Sequence, residues 1–173
     1  MKTEGTTFSF VTETPLGKIQ AAARGNALAG LWFIGQKYFP TGTETWSSKP
    51  DHPVFVSLKN WLEDYFAKKK PKFKIPLTPA GTDFQQAVWK LLLEIPYGRT
   101  STYGAIASQL AATGRKASAQ AVGGAVGHNP ISLVIPCHRV LGSDGSLTGY
   151  AGGIEKKRAL LELEGVFKPL ANI

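Results

Sequence analysis

The sequence predicts an α+β protein in two parts. A small sheet with one helix spans residues 1–75, and a mainly helical domain containing a helix-turn-helix spans residues 76–173. Three observations lead there. Short apolar runs separated by turn residues fill the beginning of the chain, as strands joined by tight turns do. From Pro53 onward apolar residues recur instead at helical spacing. Between the two parts, Pro76, Pro79 and Gly81 break any regular element.

The first strand is expected at residues 8–12, followed by the Pro15-Leu16-Gly17 turn and a second strand at 18–23. Arg24-Gly25-Asn26 reads as a hairpin turn, returning into a third strand at 28–34. Residues 35–53 are rich in Gly, Thr, Ser and Pro and read as loop. Pro53 suits the first turn of a helix, whose apolar face comprises Phe55, Leu58, Trp61, Leu62, Tyr65 and Phe66. No cluster of catalytic residue types falls in this part, so a supporting role is expected. Five lysines then crowd residues 68–74. Such a run is either a solvated surface or a patch that faces phosphates.

Thr82-Asp83-Phe84-Gln85 is a capping box, in which the Thr and Gln side chains satisfy opposite backbone donors of a helix start. Phe84, Ala87, Val88, Leu91, Leu92 and Ile95 give that helix its apolar face, and Pro96 with Gly98 stops it. Thr102 can cap a short helix over 103–110, with a turn at Thr113-Gly114 and a third helix over about 118–126. Helix, Gly-containing turn, helix is the helix-turn-helix pattern. The third helix is nearly bare: Ala119, Ala121, Gly123, Gly124 and Ala125. Adjacent glycines cost about 1 kcal/mol each against alanine, so they need a reason. Close packing on another helix is one, and close approach to a narrow surface is the other. The last helix is expected over about 154–164, with Gly165 as its stop. Ile154, Lys157, Leu161 and Glu164 fall on one face of it; Glu164 is either an exposed, frayed helix end or a carboxylate with a partner such as His138.

The chain carries 20 Lys and Arg against 12 Asp and Glu, a formal charge of +8, which suits a polyanionic partner such as nucleic acid. Its single cysteine excludes an internal disulfide and a cysteine-rich zinc site, and fits a reducing compartment. The first residues lack the apolar core of a signal peptide, and no stretch approaches the roughly 20 apolar residues of a membrane span. A soluble, cytoplasmic protein (nuclear in a eukaryote) is expected. The lone cysteine lies in Asn129-Pro130-Ile131-Ser132-Leu133-Val134-Ile135-Pro136-Cys137-His138-Arg139-Val140. An apolar run and a proline stiffen the chain before the thiol, and the adjacent imidazole favours the thiolate, the form that attacks.

Pro136-Cys137-His138-Arg139-Val140, preceded by Asn129-Pro130, resembles the active-site signature of the O6-alkylguanine-DNA alkyltransferases. The likeness is dense from Phe84 to Glu164, through Trp89, Pro96-Tyr97-Gly98, Thr102-Tyr103-Gly104 and Ala121-Val122-Gly123-Gly124, and weak before about residue 75. It implies a ribonuclease H-like first domain. It also implies direct-reversal DNA repair, in which Cys137 takes an alkyl group from O6 of a flipped-out guanine, and also from O4 of thymine. The acceptor is the protein itself, so each molecule acts once.

By the same resemblance His138 draws the thiol proton through a water, Glu164 orients His138, and Tyr103 donates to the departing guanine. The Cys137 and Val140 carbonyls and the Ala151 N–H read the base. Asn129 is the hinge, and Tyr150, Gly152, Gly153 and Lys157 belong to the substrate loop and its closing lysine. The DNA side comprises Tyr103, Gly104, Arg115, Ser118, Gln120, Ala121, Gly124 and Ser143, with the bare third helix in the minor groove. The expected partner is double-stranded DNA carrying O6-alkylguanine, bound by a monomer without cofactor, metal or membrane. Two residues depart from the family: Gln120 stands where an arginine usually fills the gap left by the flipped base, and Ala151 replaces a common serine.

Three other readings compete. A lesion sensor of this kind would lack the cysteine, which is present. A helix-turn-helix transcription factor would need base-reading side chains on the third helix, where Gln120 stands almost alone. A cysteine hydrolase would turn over, and nothing in the sequence is an obvious acyl pocket.

Overall fold

A computed structural model describes residues 6–167. The described residues divide into two compact units, one comprising residues 6–80 with 130–132 and the other residues 81–129 with 133–167.

The first unit is built on a four-stranded sheet. Strands β1 (Phe8–Thr14), β2 (Gly17–Arg24) and β3 (Ala27–Phe33) form an antiparallel meander, and β4 (Ser47–Ser48) adds to β1 in parallel, giving the order β3-β2-β1-β4. The first hairpin closes at Thr14 opposite Gly17, whose φ of 114° excludes most side chains. The second closes on Gly25 and Asn26, a two-residue turn of the kind that matches the twist of paired strands. The stretch expected as loop holds β4 and a 3-10 turn at Thr43–Thr45; two serines are too short to show a strand period.

Helix α1 (Pro53–Phe66) starts with Pro53 at its first position. The His52 ring caps it, accepting from Val54 N at 3.1 Å. It packs on β2, burying Phe55, Leu58, Leu62 and Tyr65, with Phe10 stacked on Phe55 at 5.5 Å. Residues 130–132 also belong to this unit: Leu31 N donates to Pro130 O and Ser132 N to Leu31 O, at 2.8 and 2.9 Å.

The second unit is mainly helical. Helix α2 (Asp83–Leu93) begins with the complete capping box, Gln85 N donating to Thr82 Oγ1 and Thr82 N to Gln85 Oε1. Its apolar stripe ends in the chain beyond the helix, at buried Ile95. Helices α3 (Tyr103–Ala112) and α4 (Ala119–Gly127) are capped by Thr102 and Ser118, so Ser118 stands just outside the helix it was expected to begin. Trp89 ties α2 to α4 by donating its Nε1–H to Ala125 O at 2.9 Å. Gly81 is required beneath that indole, because a Cβ there would lie 2.4 Å from the ring. A short parallel pair, β5 (Ser101–Thr102) with β6 (Val140–Leu141), brings the start of α3 beside the cysteine segment. Helix α5 (Ile154–Leu163) ends in a Schellman turn, with Gly165 at φ 81° and Val166 N donating to Leu161 O. Lys157, Leu161 and Glu164 of its expected inner face are buried, but Ile154 is exposed in the first turn. No helix among the described residues is long and apolar enough to cross a membrane.

Candidate active site

From Ile131 to Val140 the cysteine segment is buried, as its apolar composition requires; after a bridge at Ile131 it runs through a turn at 132–134. Leu133, fully inside, takes φ 70°, a left-handed conformation that costs a branched residue about 1–2 kcal/mol. Pro136 then leads into a 3-10 turn, Cys137–Arg139, which presents the thiol, imidazole and guanidinium in succession. Asn129 Nδ2 donates to Ile135 O at 2.8 Å, so the residue just after α4 fixes the chain two residues before the thiol.

One carboxylate organises the site. His138 Nε2 and Glu164 Oε2 are 2.6 Å apart, with both side chains fully buried. Arg139 donates Nε to Oε1 at 2.8 Å and its second terminal nitrogen to Oε2 at 3.1 Å, and Gly98 N donates to Oε1 at 3.1 Å. Arg139 also reaches Ile95 O at 2.7 Å, beyond the end of α2. Burial opposes the charge on Glu164, yet these donors outweigh it and hold its carboxyl at about 2. That matters because Glu164 closes the C-terminal end of α5, where the helix dipole disfavours an anion. Gly98 has φ 78°, and a Cβ there would sit 3.2 Å from Glu164 O.

His138 is pulled the other way. Burial lowers its pKa, Glu164 raises it in part, and Arg139 and Lys157 lower it further. The ring is therefore neutral at rest. With Nε2 turned to the carboxylate, Nδ1 is the nitrogen through which it can exchange a proton with the thiol side.

Burial pushes the Cys137 thiol up. The Asn129 side chain, the Lys157 charge and the N–H groups of Cys137 and His138 counteract this. The resting group is a thiol poised among donors that would welcome a thiolate.

Lys157 is fully buried, and desolvation lowers its pKa to about 8. Its Nζ donates to Thr148 O at 2.9 Å and Gly149 O at 3.1 Å, and lies 5.9 Å from the centre of the Tyr103 ring. Tyr103 donates its hydroxyl to the same Thr148 O at 3.0 Å. The loop carrying Tyr150, Ala151 and Gly152 is thus held down at its beginning by Lys157 and Tyr103. Val140 is buried in β6, its N–H donating to Cys137 O.

Both halves of the chain match models of one family. Residues 83–166 match the DNA binding domain of 6-O-methylguanine DNA methyltransferase, and residues 8–79 its ribonuclease-like domain. The methylated-DNA–protein-cysteine methyltransferase of Mycobacterium tuberculosis is 49% identical over 152 residues, 88% of either chain. That of Haemophilus influenzae is 43% identical over 154 residues, 88% of this chain and 83% of its own. The crystal structure of Mycobacterium tuberculosis OGT in complex with DNA superposes with a TM-score of 0.81 at 45% identity, covering 91% of this chain and 92% of that one. The chain belongs to the 6-O-methylguanine DNA methyltransferase family.

In this family member the expected residues fall into two groups. Cys137, His138, Glu164, Asn129, Val140, Lys157 and Tyr103 surround the thiol or connect to it through the bonds above. Arg115, Ser118, Gln120, Ala121, Gly124 and Ser143 are exposed on the helix-turn-helix or the 142–146 turn, and Gly104 is half-buried at the start of α3. The exposed face of α4 is Ala119, Gln120, Ala121 and Gly124, while Val122, Ala125 and Val126 face inward. A Cβ on Gly124 would meet nothing within 4 Å, and one on Gly123 would make ordinary contact with Tyr103 at 3.7 Å. Close internal packing therefore does not account for the paired glycines.

The sequence reading missed Arg139, Tyr97 and Gly98. Arg139 stood in the motif unassigned, Gly98 was read only as a helix stop and part of the family resemblance, and Tyr97, which donates to Leu163 O and lies under the Arg139 guanidinium, only as part of that resemblance. Among the described residues no group of three or more His, Cys, Asp or Glu side chains is placed to hold a metal ion.

Proposed function

We propose that this chain repairs alkylated duplex DNA by moving the alkyl group from O6 of guanine to Cys137 Sγ. The bond between the alkyl carbon and O6 breaks as the carbon–sulfur bond forms. The thiol proton passes to His138 Nδ1, whose positive charge Glu164 stabilises through Nε2. The guanine leaves with the electron pair of the broken bond and takes a proton or hydrogen bond from Tyr103, whose hydroxyl turns to it from Thr148 O. Lys157 favours the thiolate and holds the loop of Tyr150, Ala151 and Gly152 over the base, where the Ala151 N–H and the Val140 carbonyl meet its edge. Because a thioether is not displaced by ordinary thiols, the protein is consumed.

The observation that carries this reading is the 2.6 Å pairing of His138 with Glu164, both fully buried, immediately beside the sole cysteine. An oriented base next to a nucleophile is the arrangement that activation of a thiol needs.

DNA binding belongs to the same reading. The helix-turn-helix lies against the minor groove, its bare α4 face admitting close approach and reading little sequence. Extruding a base costs a few kcal/mol, least at a damaged pair. Gln120, exposed at the start of α4, is the side chain placed to fill part of the gap.

Incubation with a duplex holding one O6-methylguanine tests the reaction. The protein should gain the mass of one methyl group, and proteolysis should place it on the Cys137 peptide. Methylation elsewhere, or none, rejects the assignment.

A further inference from the structure

The excess positive charge is not concentrated in the half that matches the family's DNA binding domain. Residues 1–80 hold eleven Lys and Arg against six Asp and Glu, whereas residues 81–173 hold nine against six. Five of the eleven lie between residues 68 and 74, and no acidic residue occurs between Asp64 and Asp83. A surface made only for solubility usually mixes both signs. This one does not.

The run is also fixed in place. Lys68 N donates to Tyr65 O and Lys69 N to Asp64 O, both at 3.0 Å, as the chain leaves α1, and Lys68 and Lys70 adopt φ of 63° and 53°. Trp61 Nε1 then donates to Pro71 O at 3.3 Å, and the Phe73 ring stands edge-on to Trp61 at 6.0 Å. Pro71, Phe73 and Ile75 are half-buried, while Lys70, Lys72 and Lys74 alternate with them on the exposed side. Lys72 and Lys74 border a groove of about 270 Å³, together with Ser57 and Asn60. Asp64 lines the same groove, but its carboxylate faces Lys69 at 3.7 Å. Lys68, Lys72 and Lys74 have no acidic partner among the described residues.

We propose that Lys68, Lys72 and Lys74 form a second, sequence-independent contact surface for the phosphate backbone of duplex DNA, carried by the first unit and separate from the helix-turn-helix. The inference rests on the DNA reading above. Duplex DNA is the partner that fits, because it offers a dense, regular row of anions and needs no shaped pocket. Anchored lysines also lose less freedom on binding than a floppy run would. Three phosphate contacts release counterions that show directly in the salt dependence of binding.

The test uses the full chain and an undamaged 30-base-pair duplex, with affinity followed against salt concentration. Converting Lys68, Lys72 and Lys74 together to Gln should make the slope of log K against log salt shallower by about 2–3, and weaken binding tenfold or more near 0.1 M salt. Arginine at all three positions should keep the wild-type slope. Reaction of Cys137 with free O6-benzylguanine should be the same in every variant. A control converting Lys18, Lys37 and Lys49 to Gln changes the net charge equally and should leave the slope almost as it was. The proposal is overturned if the first variant keeps the wild-type slope, or if the control loses as much. A wild-type protein whose binding ignores salt would instead overturn the DNA reading itself.

Discussion

Cys137→Ser is expected to bring alkyl transfer below detection, a loss of at least about a thousandfold, while DNA affinity stays within a factor of two or so of the wild type. The substitution removes the one atom that forms the new bond. It exchanges sulfur for oxygen at a residue only 6% exposed, so no surface that could meet DNA changes. An alcohol at that position is far less acidic than the thiol, and the neutral His138 ring is not a strong enough base to ionise it. Single-turnover assays with a labelled methyl group measure the loss, and gel shift on the same preparation measures the binding. Residual transfer at a substantial fraction of the wild-type rate would move the nucleophile elsewhere.

Glu164→Ala should cost about 3–5 kcal/mol in urea unfolding, because it strands the Arg139 guanidinium in the interior. Glu164→Gln keeps the shape and separates charge from packing. In the wild type the carboxyl titrates at about 2 in the fold against 4.5 for an ordinary glutamate. Its folded pKa is depressed, so its contribution is complete above about pH 4.5 and lost as pH falls toward 2. The Gln variant should lack that part of the acid dependence. It should also slow alkylation of Cys137 by iodoacetamide near neutral pH and shift the rate profile to higher pH, since the support for a protonated His138 is gone. A Gln variant with the wild-type pH profile would show that Glu164 serves only to hold Arg139 and the end of α5.

Much of this was legible in the sequence where the governing interaction is local. The Thr82–Gln85 capping box, the Pro53 helix start, the Gly25-Asn26 turn and the Gly165 stop each follow from residues a few positions apart. So does the reading, one of the two the sequence allowed for Glu164, that a carboxylate on the inner face of α5 has a partner. Helix ends were less accurate: α3 runs on to Ala112, because nothing in Ala111 and Ala112 opposes a helix. What depends on distant pairing was not visible. β4 is two serines whose strand character comes from β1. The pairing of residues 130–132 with Leu31 joins segments about a hundred positions apart, and nothing near Leu133 in the sequence announces its left-handed backbone. Arg139 was hidden for the same reason. Its bidentate hold on a glutamate 25 residues away, and its reach to Ile95 O, exist only after α2, the 3-10 turn and α5 have converged.

The central claim is that Cys137 is both the attacking atom and the final resting place of the alkyl group. Counting methyl groups transferred per protein, with methylated duplex in large excess and the reaction followed to completion, tests it most directly. The account predicts a plateau at one methyl per chain, all of it recovered as S-methylcysteine at position 137. Transfer that continues past one, with Cys137 recovered as a free thiol, would contradict it.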